Sequence, residues 1–313
     1  MPAPVIDAPL APARERSAVK AARRRRGRRL AGYLYLLPMV ALVGVFLLYP
    51  AAKTIWVSLT DATGTSAGSF VGLDNFTRLV EDPAFRTSVR NTVYWVLGAL
   101  ILQVGLGLLL ALVLSNMRAG DWLKRLFYLP ATLSGAAVGV IWFYVFNPES
   151  GLLTSFLDGV GLGSLTTRWL AEPPINTFAM IFAAMWQGIG PAMILFLVGL
   201  QNLPREPIEA ARVDGAEGVR LFWHITLPLL RPMTAVVVAI TMINNFKVFD
   251  LIWVMTQGGP YRSSETLAVT MYRESFVSFS VGYGASVAVV LTLVVMILSV
   301  FYLRSMFRRV EVH

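Results

Sequence analysis

The stretch Asn91-Thr-Val-Tyr-Trp-Val-Leu-Gly-Ala-Leu100-Ile-Leu-Gln-Val-Gly-Leu-Gly-Leu-Leu-Leu110-Ala-Leu-Val-Leu114 contains no Asp, Glu, Lys or Arg. A helix rises about 1.5 Å per residue, so about 20 such residues cross an apolar layer of about 30 Å. Five further stretches are comparable, at roughly 30–50, 126–146, 178–200, 233–255 and 284–303. Only 233–255 carries charge, as Lys247 and Asp250. The runs are continuous and do not alternate at period two, which favours helices over barrel strands. The expected fold is an all-α polytopic membrane protein with six transmembrane helices.

Composition agrees. The 313 residues are 56% hydrophobic and 14% charged, with a mean hydropathy of +0.63. Soluble domains average roughly 45–50% and 25%. Too few charges remain to cover a water-facing surface, so a disordered chain, a coiled coil and an ordinary soluble enzyme are excluded. Cysteine is absent and histidine occurs only as His224 and His313, so no disulfide, zinc cluster or bound metal is expected.

The net charge of +9 could suggest nucleic acid, but its location points to a membrane surface. Arg14, Arg16, Lys20, Arg23, Arg24, Arg25, Arg26, Arg28 and Arg29 stand against only Asp7 and Glu15, just before the first apolar run. Such a cluster marks the cytoplasmic side and touches anionic lipid. The run from Leu30 to Pro50 exceeds a signal-peptide core, so an uncleaved helix is expected. With the N-terminus inside, cytoplasmic segments hold 19 Lys/Arg and outer loops 7. Both termini are therefore expected in the cytoplasm. The expected parts are a tail at 1–29, a first span and outer loop at 30–90, a transmembrane core at 91–305 with a loop at about 201–232, and a cytoplasmic tail at 306–313. Turn-forming Asp61-Ala-Thr-Gly64, Asp82-Pro83, Asn147-Pro148 and Pro173-Pro174 suggest outer loops of turns and short helices.

The loop at 201–232 reads Leu203-Pro204-Arg-Glu-Pro207-Ile-Glu209-Ala210-Ala211-Arg-Val-Asp214-Gly215-Ala216 and continues to Ile225-Thr-Leu227-Pro228. Pro207 suits a first helical turn. Gly215 stands where a left-handed glycine would end that helix. A second helix is expected from Ala216 to about Thr226, stopped by Pro228. An ordinary membrane-proximal loop serves this arithmetic equally well. The order Glu209-Ala210-Ala211, Gly215, Ile225, Leu227-Pro228, however, resembles the EAA signature of ABC-importer permeases at every position and spacing. The resemblance implies a coupling helix that docks on an ATP-binding subunit, with Glu209, Ala210, Ala211, Asp214, Gly215, Ala216, Ile225, Leu227 and Pro228 in the coupling element.

The resemblance covers about residues 30–305 and the type I importer fold. Tyr33–Thr60, Phe70-Val-Gly-Leu-Asp-Asn-Phe76, Thr256-Gln-Gly258-Gly259-Pro260, Glu265-Thr-Leu and Tyr272 resemble the carbohydrate branch, of the maltose and glycerol-3-phosphate type, in its first-permease subunit. It implies a bacterial cell-membrane location and four kinds of partner: a second, different permease, two ATP-binding subunits, an extracytoplasmic solute-binding protein and membrane lipid. ATP and Mg would sit on the partners. This chain has no Gly-Lys dipeptide and hence no P-loop. No catalytic constellation is visible, so a non-enzymatic permease subunit is expected.

A sugar path needs polar and aromatic groups inside the bundle, where lipid-facing polar groups are costly. The expected residues are Asn245 and Phe246 first, since the family's contacts fall there. Trp186, Gln187 and Gly188 follow, then Asn244, Lys247 and Asp250. At spacing three, Asn244, Lys247 and Asp250 would share a helical face, and Lys247 could pair with Asp250. Tyr94, Trp95, Gln103, Trp142 and Tyr144 are assigned to packing or interface belts. A permease for a non-sugar solute and an ion-coupled secondary transporter are the alternatives.

Overall fold

The computed structural model describes residues 35–115, 117 and 120–310. The expectations for the basic tail at 1–29, the start of the first span and the last three residues lie outside the described residues. Contacts divide the chain after Thr54. Before that division stands a helix from Tyr35, which continues to Val57. After it comes a helical bundle.

Five helices are long and apolar enough to cross a membrane: Tyr35–Val57, Pro83–Ser115, Ile175–Gln201, Arg231–Met255 and Val281–Tyr302. A bent pair, Gly120–Thr132 with Gly135–Val145, makes a sixth if counted as one span. This is the expected all-helical, six-segment architecture with one correction. The stretch at 126–146 is not one straight helix, because its two arms meet at 99°. Leu133 is extended (φ −81°, ψ 148°), and the Ser134 hydroxyl restarts the helix by accepting from Ala137 N–H at 3.2 Å.

Pro228 does not end its helix as expected: the helix at 218–229 runs through it, and the first span, placed at 30–50, also continues past Pro50. In each case a π turn ends two residues before the proline. Tyr49 N–H bonds to Gly44 O, and Leu227 N–H bonds to Phe222 O. The widened turn relieves the clash between a proline ring and the carbonyl four residues back. The second span starts eight residues earlier than expected, at Pro83. Asp82-Pro83, read as a loop turn, is a helix start: the Asp82 carboxylate accepts from Ala84 N–H at 2.8 Å and proline takes the first position.

Inside lipid, helices associate by close packing, with little hydrophobic drive between them. Small residues accordingly sit at the contacts. Ala111, Ala183 and Ala192 are buried, and a Cβ on Gly107 would lie 2.7 Å from that of Ala192. One core joins Leu114, Met193, Phe196, Leu230 and Val237, where the second, fourth and fifth spans meet the loop at 201–232. We call this the hairpin end. At the far end, Pro83 begins the second span.

The far end is tied by buried polar contacts. The Asn91 amide donates to Ser263 O (2.7 Å) and Glu265 O (2.9 Å). The Asn176 amide donates to Gly259 O and the Ser263 hydroxyl. The fully buried Glu265 carboxylate accepts from Arg262, Arg273 and the Thr270 hydroxyl, and Arg262 also pairs with Glu274 at 3.0 Å. The Gly-Gly-Pro segment is therefore clamped around one carboxylate.

Candidate functional site

Two regions hold the sequence-predicted residues. The first is the loop at 201–232, which folds as a helical hairpin. Its first limb is Arg205–Val213, with Pro207 in the opening turn. Glu206 in that turn complements the helix dipole. Gly215 adopts φ +81°, a left-handed conformation that other residues resist. Gly215 N–H bonds to Arg212 O at 3.0 Å, and Ala216 N–H bonds to Ala211 O at 2.9 Å. This pair is the Schellman closure, and it uses carbonyls the ended helix would leave open. The second limb comprises Gly218–Leu221, the π turn Phe222–Thr226 and Leu227–Leu229.

The hairpin presents a mixed surface. Glu209, Ala210, Arg212 and Asp214 are exposed, whereas Ala211 is buried. Ala216, Ile225, Leu227 and Pro228 are half-buried. Val213 is 89% exposed and Trp223 60%. Among the described residues, the Glu209 side chain has no hydrogen bond or ion pair. Exposed apolar side chains and an unpaired carboxylate on one hairpin make a surface that another protein can grip.

The second region is a cavity of about 400 Å³ between the bent third segment and the fourth and fifth spans. It brings together Gln187, Gly188, Asn244, Asn245, Lys247 and Asp250 from the expected set, and adds Gln103, Ala131, Gly135 and Phe249. Both facing elements are broken here. The third segment turns at Leu133. The fifth span stops at Phe246, and a new helix starts at Asp250. Broken helices at a cavity recur in transporter sites.

The break corrects the expected geometry. Lys247 (φ −100°, ψ 12°) and Phe249 (φ −138°, ψ −60°) are not helical, so Asn244, Lys247 and Asp250 do not form a continuous helical stripe. All three are exposed. Among the described residues no ion pair joins Lys247 to Asp250, and the helix that would have brought them together is interrupted between them. Asn245 is buried and committed: its amide donates to Thr241 O at 2.8 Å and Gln103 Oε1 at 3.3 Å. Phe246 is buried with Val96 and Val287 and does not line the cavity. Trp186 stands edge-on to Trp142, with centroids 5.9 Å apart, also outside the lining.

Gln103 was assigned to packing but lies at the cavity wall. Its amide bridges Ala184 O at 3.2 Å and accepts from Asn245. A Cβ on Gly188 would fall 2.4 Å from Gln103 Cδ, so a larger residue there would push this amide off Ala184 O and Asn245. The signal was available, since Gln103, like Gln187, is a lone amide in an apolar run. Gln187 itself donates to Leu133 O at 2.8 Å and pins the bend. Among the described residues, no three His, Cys, Asp or Glu side chains converge as a metal site.

Known proteins resemble this chain in sequence and in fold. The model of the binding-protein-dependent transport system inner membrane component matches residues 103–311. A probable ABC transporter permease protein of Pyrococcus horikoshii is 35% identical, covering 86% of this chain and 93% of its own. An sn-glycerol-3-phosphate transport system permease protein of Agrobacterium fabrum is 32% identical over 89% and 95%. In fold, a chain of the bacterial alginate ABC transporter, solved with an alginate pentasaccharide-bound periplasmic protein, superposes with a TM-score of 0.80 at 22% identity, covering 92% of this chain and 97% of that one. The chain is thus a multi-pass membrane protein, and it belongs to the family of inner-membrane components of binding-protein-dependent transport systems, the permeases of ABC transporters.

Proposed function

We propose that this chain is one of two different permease subunits of a bacterial ABC importer for a carbohydrate or a related polyol or sugar phosphate. The observation that carries the reading is the hairpin at 205–229. It is closed by the left-handed Gly215 and exposes Val213, Trp223 and a Glu209 carboxylate that has no hydrogen bond or ion pair among the described residues. In this reading it lies in the cytoplasm, as do both termini, and two ATP-binding subunits hold ATP and Mg and grip it and its counterpart. Closure of those subunits moves the hairpin and rocks this permease against the other. Coupling then rests on ATP favouring one of two states. An extracytoplasmic binding protein delivers solute at the far end, and the broken spans around Gln187, Asn244, Lys247 and Asp250 form half of the path. The carbohydrate assignment draws on the sequence resemblance and on the cargo of the glycerol-3-phosphate and alginate relatives.

The test is ATP-driven uptake in vesicles of the assembled complex. Glu209→Lys is expected to abolish uptake and co-purification of the ATP-binding subunit while leaving the permease in the membrane. Uptake that persists without ATP-binding subunits and follows an ion gradient would instead make this a secondary transporter.

A further inference from the structure

Beyond the cavity runs a line of aromatic rings that the proposed path does not yet use. Phe249, in the cavity wall, lies with its centroid 4.7 Å from Tyr272 and 5.7 Å from Trp253. Tyr272 lies 4.8 Å from Trp253 and 5.3 Å from Phe276. Phe276 is 63% exposed, and Phe249, Trp253 and Tyr272 are each partly exposed. The line has a direction. Leu267 N–H bonds to Thr92 Oγ1, and Thr270 pairs with Ser88, so the helix from Leu267 climbs toward Pro83 and the far end as its number rises. The rings therefore lead from the cavity at Phe249 to the far surface at Phe276.

The surroundings do not suit a lipid-facing belt. The Arg273 guanidinium lies 5.5 Å over Trp253, while Lys247 and Asp250 flank Phe249. Arg273 is paired with Glu265, but Lys247 and Asp250 are exposed in a segment apolar enough to cross a membrane, where charges are costly against hydrocarbon and expected beside a water-filled route. Aromatic faces with polar groups between them suit a sugar ring, whose C–H face meets the negative π surface while its hydroxyls meet the polar side chains. We propose that Phe249, Tyr272 and Phe276, backed by Trp253, form an aromatic rail that passes a pyranose ring between the far surface and the cavity. This rests on the carbohydrate reading and adds positioning residues to it.

The absence of native cysteine in this chain allows a direct test with single-cysteine variants, given partner subunits with none exposed. The assembled transporter, in proteoliposomes with ATP and vanadate, is treated with the membrane-impermeant trimethylammonium-ethyl methanethiosulfonate. Phe249→Cys, Tyr272→Cys and Phe276→Cys are expected to react at least about tenfold faster than Met296→Cys, an exposed position on the last span. Maltose, trehalose, cellobiose and glycerol 3-phosphate are tested separately for uptake, and any sugar carried is expected to slow the labelling. Phe276→Leu should raise the half-saturating concentration roughly two- to tenfold, with Phe276→Trp restoring it. Labelling no faster than at Met296→Cys overturns the rail and leaves the carbohydrate reading standing. A carried sugar that gives no protection does the same. Uptake of glycerol 3-phosphate with no sugar carried overturns the pyranose rail, and a transporter that carries none of the four while importing an amino acid removes the carbohydrate reading as well.

Discussion

Replacing Gly215 isolates backbone geometry from side-chain contact. No atom lies within 4 Å of a Cβ built there, so within this chain substitution costs only the left-handed conformation at φ +81°. That cost is roughly 1–2 kcal/mol for an ordinary residue. At 1.36 kcal/mol per factor of ten, Gly215→Ala should cut the population of the closed hairpin about 5- to 30-fold relative to competing conformations. Asparagine visits this region more readily, so Gly215→Asn should lose less. The β-branch of valine makes Gly215→Val the most damaging, to the point of abolished uptake. The assay is ATP-driven uptake and ATP-binding-subunit retention for Gly, Asn, Ala and Val at matched membrane levels. Uptake by Gly215→Val equal to that of the parent would refute the reasoning. So would Asn behaving worse than Ala, since the backbone term would then not be in control.

Gly188→Ala should be poorly tolerated. Its methyl would meet Gln103, and such overpacking typically costs about 1–3 kcal/mol. Adding Gln103→Ala should recover thermal stability, and a neutral single variant would show that the amide does not cross there. Glu265→Ala takes the carboxylate from Arg273 and leaves Arg262 only Glu274, and should destabilise by about 3 kcal/mol; an unchanged melting midpoint in detergent would count against the clamp. At Asp82, burial pushes the carboxyl pKa up, but the Tyr283 hydroxyl and Ala84 N–H outweigh it, so the group titrates below its ordinary 3.8. Its contribution is then complete above that value and lost as pH falls through the lower folded pKa. Asp82→Ala should cost about 1 kcal/mol at neutral pH, and the gap from the parent should close on acidification below about pH 4.

Much of this protein could be read from local chemistry. Span positions followed from uninterrupted apolar runs, and the hairpin followed from one glycine at the right distance from a helix start. Reading failed where a rule depends on its neighbours. Pro228 looks like a stop, but a π turn just ahead of it, as ahead of Pro50, makes room for the ring, and no residue pattern announced that turn. Asp82-Pro83 is ambiguous between a turn and a helix cap until something follows it. Spacing placed Asn244, Lys247 and Asp250 on one face only if the helix continued, and its break at Lys247 sends them into a cavity instead. Phe246 packs into the core away from the cavity, and the buried Gln103 reaches the cavity wall, because an apolar run shows hydrophobicity without showing which side faces a neighbour. The Glu265 clamp joins residues from separate segments, and such long-range partners leave no local trace.

The account turns on the hairpin being held by an ATP-binding subunit. Ala210 is exposed on its first limb, and the chain has no other thiol once Ala210→Cys is introduced. The variant is loaded with a maleimide benzophenone in the assembled transporter and illuminated in inside-out vesicles. The prediction is a covalent adduct with the ATP-binding subunit. An adduct with lipid alone, or a thiol that reacts only from the outer side of the membrane, would contradict it.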